Sequence, residues 1–352
     1  MMTSEPDAIE ASIAHMAARS LGATGVRIEW LPGELGLRRF ARVRLEGGTH
    51  RSAVARVEAP EDPAGRPDGV PPEPPLEPIR ALYEAAGLPV PARFGADPAA
   101  GVELLEDVGD AALRDVVAGA PEPERRAFYE EACDLVPRIQ AIAPADVEAF
   151  RRRLDAPLFA YKAELFAEHA LAARGRPAAP AERETVRAAF AAVAAEAAAA
   201  PARLAHRDLQ SANLHVLFGR APGERLAMID LQGALLAPPE YDLVCLLRDS
   251  YVELPESEVA DQLARIRPQL PDAPDPEVFA RRFDLLTLTR KGKDLARFLY
   301  ATRARGDQRY LRYVPGTLRV LRAAAERSAG REPAFAPLAE LIAGIPETPC
   351  AG

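Results

Sequence analysis

One short segment of the sequence carries side chains suited to phosphoryl transfer. It reads His-Arg-Asp-Leu-Gln-Ser-Ala-Asn from residue 206 to residue 213, and a further aspartate, Asp230, follows two short apolar runs. In phosphoryl transfer an aspartate accepts the proton of the attacking hydroxyl. An asparagine five residues later and a second aspartate bind Mg²⁺. The spacing therefore predicts Asp208 as the catalytic residue, and Asn213 and Asp230 as metal ligands.

The residues around this loop predict a β-hairpin. Residues 214–218 and 226–229 are apolar strand candidates, and a polar turn between Gly219 and Gly223 separates them. The hairpin would hold the loop at a fixed distance from Asp230. The alternative is a surface loop of solvated charges that ends in a capping asparagine.

Length, composition and charge limit the possible class of protein. A chain of 352 residues is long enough for two lobes, and its 48% hydrophobic and 27% charged residues are ordinary for a soluble globular protein. The net charge of −8 gives no reason to expect nucleic acid as a partner. The sequence has no basic leader, no apolar run of membrane-spanning length and no metal spacing among its three cysteines. We therefore expect a cytoplasmic protein without a membrane partner.

The first hundred residues predict a small strand-rich lobe. A helix at residues 7–21 precedes strands at 26–31, 39–45 and 53–57. The turn Gly33–Gly36 could place backbone N–H groups over phosphates, although it could also be an ordinary turn.

The third of these strands contains the candidate phosphate-binding residue. Kinases keep a lysine in this position, but the first lysine of this chain is Lys162. Arg56 is the natural substitute, because a guanidinium can chelate phosphate oxygens, and a solvated strand arginine is the alternative. Glu77, at the start of a predicted helix, could be the ion-pair partner of Arg56 or a carboxylate favoured by the helix dipole.

A strand at residues 101–107 leaves the small lobe. Such a passage is where kinases bind adenine through backbone groups. Leu104, Glu106 and Asp107 are therefore candidate nucleotide-binding residues.

The remainder of the chain is predicted to be largely helical. The helices are placed at residues 123–143, 145–173, 181–200, 241–251 and 276–328. The last of these segments has thirteen Arg or Lys against five Asp or Glu, which indicates a solvated helix face or a site for an anionic group.

The acceptor is predicted to be a small molecule. In protein kinases a long loop separates the metal-binding aspartate from a Pro-Glu element, and that loop docks the peptide. Here Pro239-Glu240 follows Asp230 closely, which leaves no room for such a loop.

With these motifs the chain resembles the aminoglycoside-phosphotransferase-like kinases from about residue 26 to its end. Within them it is most similar to the bacterial anomeric N-acetylmuramate/N-acetylglucosamine kinases. It departs from their pattern around Gly33–Phe40 and at Gly233, where an acidic residue is common. The segments that carry the resemblance are His206–Asn213, Met228–Gln232 and Pro239–Asp249, with shorter matches at 104–107, 164–166, 290–293 and 310–311.

The resemblance implies a bilobal, protein-kinase-like α+β fold. The small β-rich lobe, residues 1–107, would bind nucleotide and end in a hinge. The larger, mainly helical lobe, residues 108–352, would carry catalysis and the substrate site. The implied reaction is Mg²⁺-dependent transfer of phosphate from ATP to the C1 hydroxyl of N-acetylmuramate or N-acetylglucosamine, in cell-wall recycling, by a monomer. The implied substrate-binding residues are Gln210, Gln232, Arg248, Asp249, Arg290 and Lys293.

The implied substrate-binding residues differ in their expected roles. Gln210, Gln232, Arg248 and Asp249 would bind sugar hydroxyls or order the loop, and Arg290 and Lys293 would contact a lactyl carboxylate. His206 is expected to brace the loop from inside.

The alternatives to an amino-sugar kinase are a kinase for an aminoglycoside or another small hydroxyl compound, and a nucleotide-binding pseudokinase regulator. A basic site disfavours a polycationic acceptor, and the presence of all three catalytic-loop oxygens disfavours the pseudokinase.

Overall fold

The computed structural model describes residues 5–32, 38–58 and 72–348, so the predicted glycine turn lies outside the described residues. It has an antiparallel sheet near the N-terminus and a larger helical region after it. The predicted α+β fold class is confirmed.

Contacts between residues divide the chain into two compact units. The predicted boundary after residue 107 stays a prediction, and the units differ from it in one respect: the helix that contains residue 80 groups with the larger unit. The smaller unit comprises Met1–Arg66 and Pro89–Asp110, and the larger comprises Pro67–Leu88 and Ala111–Gly352.

The smaller unit is a five-stranded antiparallel sheet packed against one helix. The strand order is β1-β2-β3-β5-β4. The elements of this unit are α1 (Glu5–Leu21), β1 (Gly25–Trp30), β2 (Arg39–Glu46), β3 (Ser52–Val57), β4 (Arg93–Asp97) and β5 (Val102–Glu106).

Small apolar side chains form the core of this unit. Ala41 and Val43 in β2 lie opposite Ala55 and Ala53 in β3, and all four are fully buried. Because alternate strand residues share a face, the four side chains cover one side of the sheet. Ile13 of helix α1, also fully buried, packs into the same core.

Strand β4 was not predicted from the sequence. Its residues, Arg-Phe-Gly-Ala-Asp, lack the β-branched side chains that favour strands. It pairs with β5, with a register shift between Arg93 and Gly95. A Cβ atom at Gly95 would lie 3.3 Å from the Oγ atom of Ser20, so the glycine permits close packing against helix α1. Pairing with β5 and packing against α1 therefore stabilise this strand despite its low strand propensity.

The larger unit is mainly helical, with two short two-stranded sheets, β6–β9 and β7–β8. None of the described helices combines the length and apolar character needed to cross a bilayer. The elements are α2 (Leu76–Ala85), α3 (Leu113–Val117), α4 (Glu122–Gln140), α5 (Ala156–Leu165), α6 (Pro180–Ala199), β6 (Arg203–Ala205), β7 (Leu214–Val216), β8 (Leu226–Met228), β9 (Leu235–Ala237), α7 (Tyr241–Leu247), α8 (Glu256–Ile266), α9 (Pro276–Arg305), α10 (Val314–Arg331) and α11 (Ala336–Ala343).

The prediction of one continuous helix over residues 145–173 is wrong. The segment begins with a 3₁₀ turn at Glu148–Phe150, and helix α5 starts afresh after Asp155. The Asp155 carboxylate caps α5 by accepting the N–H of Leu158 at 3.2 Å. Pro157 lies in the first turn of α5, where its missing N–H costs nothing, but it could not continue a preceding helix.

The segment 276–328 is helical as predicted, and it contains two helices. Helix α9 ends at Arg305 and is capped by Gly306, whose φ of 66° is readily adopted only by glycine. Helix α10 begins at Val314. Helix α9 is 30 residues long and brings a series of charged side chains to one place in the larger unit.

Candidate active site

The loop of residues 206–213 is anchored by a carboxylate from helix α7. Asp242 is buried and accepts the backbone N–H of His206 at 2.7 Å and that of Arg207 at 3.0 Å. Arg207 has a φ of 78°, a left-handed conformation that costs a non-glycine residue on the order of 1–3 kcal/mol. Hydrogen bonds to a carboxylate contribute roughly 1.5–3 kcal/mol each, enough to hold this conformation. Asp242 therefore sets the direction in which the loop leaves strand β6.

His206 ties this loop to the segment that carries Asp230. Its ring is fully buried, and its Nε2 atom lies 3.0 Å from the carbonyl oxygen of Ile229. The prediction that His206 braces the loop from inside is confirmed.

Asp208 lies beside a cluster of cations. Its Oδ1 atom accepts a hydrogen bond from Nη1 of Arg290 at 2.6 Å, and its Oδ2 atom lies 3.9 Å from Nε of Arg207. Burial would raise the pKa of Asp208, but the charges of Arg290, Lys293 and Arg207 outweigh it and hold that pKa below its usual value. The side chain keeps 24% of its surface exposed, so its ionised carboxylate is accessible to a small molecule.

Asn213 is fixed between the loop and the hairpin. Its Nδ2 atom donates to the carbonyl oxygen of Asp208 at 2.9 Å, and its own carbonyl accepts the N–H of Ile229 at 3.0 Å. Asp230 follows Ile229 directly, with a left-handed φ of 63°. The β7–β8 pairing thus brings Asn213 and Asp230 to the same end of the hairpin.

The donor set here fits a magnesium ion. Asn213 and Asp230 offer amide and carboxylate oxygens, which are the hard ligands that Mg²⁺ prefers. Burial, followed by the negative charge of Asp208, raises the pKa of Asp230, and a divalent cation would relieve this repulsion. Among the described residues no group of three His, Cys, Asp or Glu side chains forms a metal cluster, so the fit depends on these two ligands with substrate and water oxygens. The catalytic and metal-binding roles of the three residues stay predictions.

Both predicted glutamines contact the catalytic carboxylates or their partners. Gln210 accepts a hydrogen bond from Nη2 of Arg290 at 3.2 Å. Gln232 is buried, and its Nε2 atom donates to Oδ1 of Asp230 at 2.6 Å. Each orients a neighbouring side chain, and direct contact with the acceptor stays a prediction.

Arg248 and Asp249 are both buried and pair with other groups of the protein. Arg248 is buried against the ring of Phe283 and forms an ion pair with Glu256, with Nη2 to Oε2 at 2.8 Å. Asp249 is buried and accepts both the backbone N–H of Ser211, at 2.8 Å, and its hydroxyl. Of the two roles open from the sequence, the structure places Asp249 in the ordering of the loop. Arg248 pairs with Glu256 in helix α8, and its contact with the substrate stays a prediction.

Arg290 and Lys293 project from helix α9 into the same cluster. Arg290 is 2% exposed and, besides Asp208 and Gln210, lies 3.4 Å from a carboxylate oxygen of Asp294 through its Nε atom. The Nζ atom of Lys293 lies 3.1 Å from the other Asp294 oxygen. Arg290 is thus an ion-pair partner of Asp208, whereas Lys293 contacts the carboxylate of Asp294, which it shares with other cations.

In the smaller unit, Arg56 is a buried ion-pair residue. It is 3% exposed, so the solvated alternative is wrong. Its Nη1 atom lies 2.7 Å from Glu103 and 2.6 Å from Glu58, and Glu103 is its direct neighbour across the sheet. Glu77 lies in the first turn of helix α2 and accepts hydrogen bonds from Arg80 at 2.6 and 3.0 Å. Glu58 and Glu103 are thus the partners of Arg56 in the structure, whereas Glu77 pairs with Arg80. The phosphate-binding role of Arg56 stays a prediction.

The three predicted hinge residues have different surroundings. Leu104 is fully buried inside strand β5, with Ala55 opposite it, so its side chain belongs to the core. Glu106 ends the strand and accepts the backbone N–H of Ala92 at 3.1 Å. Asp107 lies just beyond the strand and accepts hydrogen bonds from Arg42 at 2.8 and 3.2 Å. Contact with a nucleotide stays a prediction for all three.

Sequence reasoning missed three residues of this site. Asp242 is separated from its loop partners by 35 and 36 residues, and only the fold brings them together. Asp294 follows Lys293 in a mostly basic stretch, residues 290–297, and nothing in the sequence shows that its carboxylate meets several of these cations. Lys162 is the first lysine of the chain, which is the one signal that could have drawn attention to it.

Comparison with known proteins decides the family. Residues 36–280, more than half of the chain, match the phosphotransferase enzyme family. The chain belongs to this family. The phosphotransferase is 29% identical over 312 residues to the N-acetylmuramate/N-acetylglucosamine kinase of Pseudomonas aeruginosa, which covers 86% of this chain and 85% of that protein. The prediction of a phosphotransferase with an alcohol group as acceptor is confirmed.

Solved structures share the fold of this phosphotransferase. A choline kinase from Streptococcus pneumoniae superposes with a TM-score of 0.59 at 15% identity, covering 92% of this chain and 99% of that one. An ADP-bound aminoglycoside phosphotransferase gives a TM-score of 0.54 at 14% identity, covering 91% and 99%. At such identities the likeness defines the fold alone, and it agrees with the predicted protein-kinase-like architecture.

Proposed function

We propose that this phosphotransferase transfers the γ-phosphoryl group of ATP to the anomeric C1 hydroxyl of N-acetylmuramate or N-acetylglucosamine. The product would be the α-1-phosphate, formed during reuse of cell-wall sugars. The sequence relationship to the N-acetylmuramate/N-acetylglucosamine kinase of Pseudomonas aeruginosa supports this acceptor class.

One geometric observation carries the proposal. An accessible ionised carboxylate, Asp208, lies next to two oxygen ligands, Asn213 and Asp230, at one end of a hairpin. Phosphoryl transfer needs this combination: an acceptor for the hydroxyl proton beside a place where phosphate charge is neutralised. The ion pair with Arg290 fixes the direction of the carboxylate before the acceptor arrives.

The residues of the chain would share the chemistry as follows. Asp208 accepts a hydrogen bond from the anomeric hydroxyl and receives its proton as the phosphoryl group is transferred. Asn213 and Asp230 are the residues that would hold Mg²⁺, which when bound neutralises charge on the phosphates. Arg290 keeps the Asp208 carboxylate aimed at the acceptor, and Gln232 aligns Asp230 through its 2.6 Å hydrogen bond.

The charge of the site disfavours a polycationic acceptor. Arg207, Arg290 and Lys293 all lie close enough to lower the pKa of Asp208. A polyamine such as an aminoglycoside would add positive charge to this group, which costs free energy in a partly buried site. A neutral or acidic sugar meets no such repulsion.

The test is ³¹P NMR of the products formed from ATP, Mg²⁺ and each of N-acetylmuramate, N-acetylglucosamine, glucosamine and kanamycin. We expect a new sugar phosphate from one or both N-acetylated sugars, with its phosphorus coupled to the anomeric proton. Phosphate on another carbon would refute the C1 assignment. Transfer to kanamycin alone would identify an aminoglycoside kinase, and ATP binding without transfer to any compound would favour a regulator. Asp208→Asn, checked by circular dichroism to be folded at the assay temperature, is the inactive control.

A further inference from the structure

Lysine usage singles out one part of this molecule. Of the 44 lysines and arginines in the chain only three are lysines, Lys162, Lys291 and Lys293. All three lie in the larger unit, and Lys162 and Lys293 are close enough for their charges to act on each other and on Arg290, the ion-pair partner of Asp208. Lysine differs from arginine in offering a compact charge that responds to its surroundings.

Lys162 is a buried ammonium group that has no carboxylate partner in the part of the chain that the structure describes. It is 6% exposed, and its one hydrogen bond, at 3.4 Å, goes to the hydroxyl of Tyr241. The rings of Phe159 and Tyr241 lie 5.1 and 5.2 Å from its Nζ atom. Burial lowers the pKa of Lys162 to about 7, with smaller contributions from the charges of Lys293 and Arg290. The positive charge of Lys162 is therefore not balanced by any carboxylate among the described residues.

Lys293 is short of negative charge for a different reason. Its carboxylate neighbour, Asp294, is shared among three cations: Lys291 at 2.6 Å, Lys293 at 3.1 Å and Arg290 at 3.4 Å. Arg297, one helical turn further along α9, adds a fourth positive charge near Lys293. Burial, followed by the charge of Arg290, lowers the pKa of Lys293 to about 8. The Lys293 side chain keeps 14% of its surface exposed, so a ligand can reach it.

The groups that face these two lysines come from several elements. Those that face Lys162 include Arg207 in the loop, Tyr241 and Cys245 in helix α7, and Arg290 in helix α9. Those that face Lys293 include Asp208, Arg290, Asp294 and Arg297. The described groups around Lys162 are thus cations or uncharged side chains. Around Lys293 two carboxylates, Asp208 and Asp294, are each close to several positive charges.

We propose that Lys162 and Lys293 form a subsite for a carboxylate on the acceptor sugar, and that this pair selects an acidic sugar over a neutral one. The inference rests on the proposed function and adds to it the residues that discriminate between its two acceptors. A carboxylate bound here would supply the counter-charge that Lys162 lacks and relieve the crowding of cations around Asp294. The carboxylate of Asp208 would then face the sugar hydroxyl. Arg290 lies within ion-pair distance of Asp208 and of Asp294, and so connects the catalytic position with the proposed subsite.

The experiment compares kcat/KM for N-acetylmuramate, which carries a carboxylate, with that for N-acetylglucosamine, which does not. The variants are Lys162→Met and Lys293→Met, which keep the length of the side chain and remove its charge. We expect each variant to lower the ratio of kcat/KM for the acidic sugar to that for the neutral sugar by about 10- to 100-fold, the range for a lost hydrogen bond to a charged group. A loss common to both sugars, such as that from the missing charge of Lys293 beside Asp208, cancels in this ratio. Arg281→Met is the matched control: this arginine of the same helix pairs with Glu196 and Glu332 rather than with Asp294, and its loss should leave the ratio between the sugars unchanged.

Stability measurements separate selectivity from folding. Replacing an uncompensated buried charge by an apolar side chain of similar shape is often neutral or stabilising, so Lys162→Met should melt no lower than wild type. The proposal is overturned if the ratio of the two kcat/KM values is the same in wild type and both variants, or if wild type shows no preference for the acidic sugar. If neither sugar is phosphorylated the proposed function fails. Calorimetric binding of N-acetylmuramate to wild type and variants then decides the subsite by itself: weaker binding by the variants supports it and equal binding refutes it.

Discussion

Replacing Arg290 by methionine would remove the charge that acts most strongly on Asp208, the proposed catalytic residue. The guanidinium donates to Asp208 at 2.6 Å and to Gln210 at 3.2 Å, and lies 3.4 Å from Asp294. Methionine fills a similar volume but offers neither charge nor donor. The variant therefore leaves the Asp208 carboxylate with weaker compensation from Arg207, at 3.9 Å, and from Lys293.

The expected size of the effect follows from burial. Removing one partner of a buried ion pair costs about 3–5 kcal/mol. Since Asp208 is 24% exposed and water can partly solvate it, we expect the lower end, about 3 kcal/mol. For a chain of 352 residues this corresponds to a fall in melting temperature of about 4 °C. A carboxylate that is no longer aimed at the acceptor would lower kcat/KM by about 100-fold.

The pH dependence gives a second and independent readout. Because the pKa of folded Asp208 lies below the unfolded value, its ionised form stabilises the protein above about pH 4, and this contribution is lost as the pH falls through the folded pKa. Without Arg290 the pKa of Asp208 rises. The acid limb of the kcat/KM profile should therefore move to higher pH, and the stability difference between wild type and variant should shrink as the solution becomes more acidic.

Thermal unfolding and initial rates over a pH series would measure these effects. Arg281→Met is the control, because Arg281 lies on the same helix but pairs with Glu196 and Glu332 at 2.5 and 2.7 Å. It is about one third exposed, so its loss should cost less than about 1 kcal/mol and leave the pH profile unchanged. An Arg290→Met enzyme with the wild-type pH profile and kcat/KM would refute the assignment of Arg290 as the residue that positions Asp208.

Three further substitutions test separate parts of the site. Asp242→Asn can satisfy only one of the two loop N–H groups, so we expect a loss of about 1.5–3 kcal/mol in unfolding free energy, together with lower kcat; an unchanged melting temperature would contradict the anchoring role. Arg248→Met should cost about 1 kcal/mol or less, because its partner Glu256 is 62% exposed and stays solvated, and it should leave the KM for sugar unchanged; a raised sugar KM would instead support contact of Arg248 with the sugar. Asp230→Asn should raise the Mg²⁺ concentration needed for half-maximal rate and weaken Mn²⁺ binding measured by paramagnetic resonance, and equal Mn²⁺ binding would exclude Asp230 as a ligand.

The core of the site could be predicted because its members are close in sequence. Asp208 and Asn213 belong to one loop, and Asp230 follows the next hairpin, so their spacing alone indicates the chemistry. The pairing of Asp208 with Arg290 spans 82 residues. No local pattern fixes which of the many arginines in the chain meets the loop, and the prediction assigned Arg290 to the substrate for this reason.

The fold shows the same division between local and long-range information. Strands β2 and β3 were predicted because alternation of apolar residues reports their buried face directly. Strand β4 was missed because its pairing with β5 and packing on α1 outweigh its poor strand propensity. The predicted helix over 145–173 was wrong because Asp155 and Pro157 start a new helix inside an otherwise helix-forming stretch.

The electrostatics of Asp208 bear on which hydroxyl the proposed reaction can use. A carboxylate whose pKa is held below its usual value by Arg290 is a weak base, and it cannot drive removal of a proton from an ordinary alcohol before phosphoryl transfer begins. Phosphoryl transfer tolerates this, since its loose transition state depends mainly on position and charge neutralisation. The anomeric hydroxyl is also the most acidic hydroxyl of a reducing sugar, because the ring oxygen withdraws electron density from C1. A firmly oriented but weak base therefore suits C1 better than the other sugar hydroxyls, which links the Arg290–Asp208 pair to the position of phosphorylation as well as to its rate.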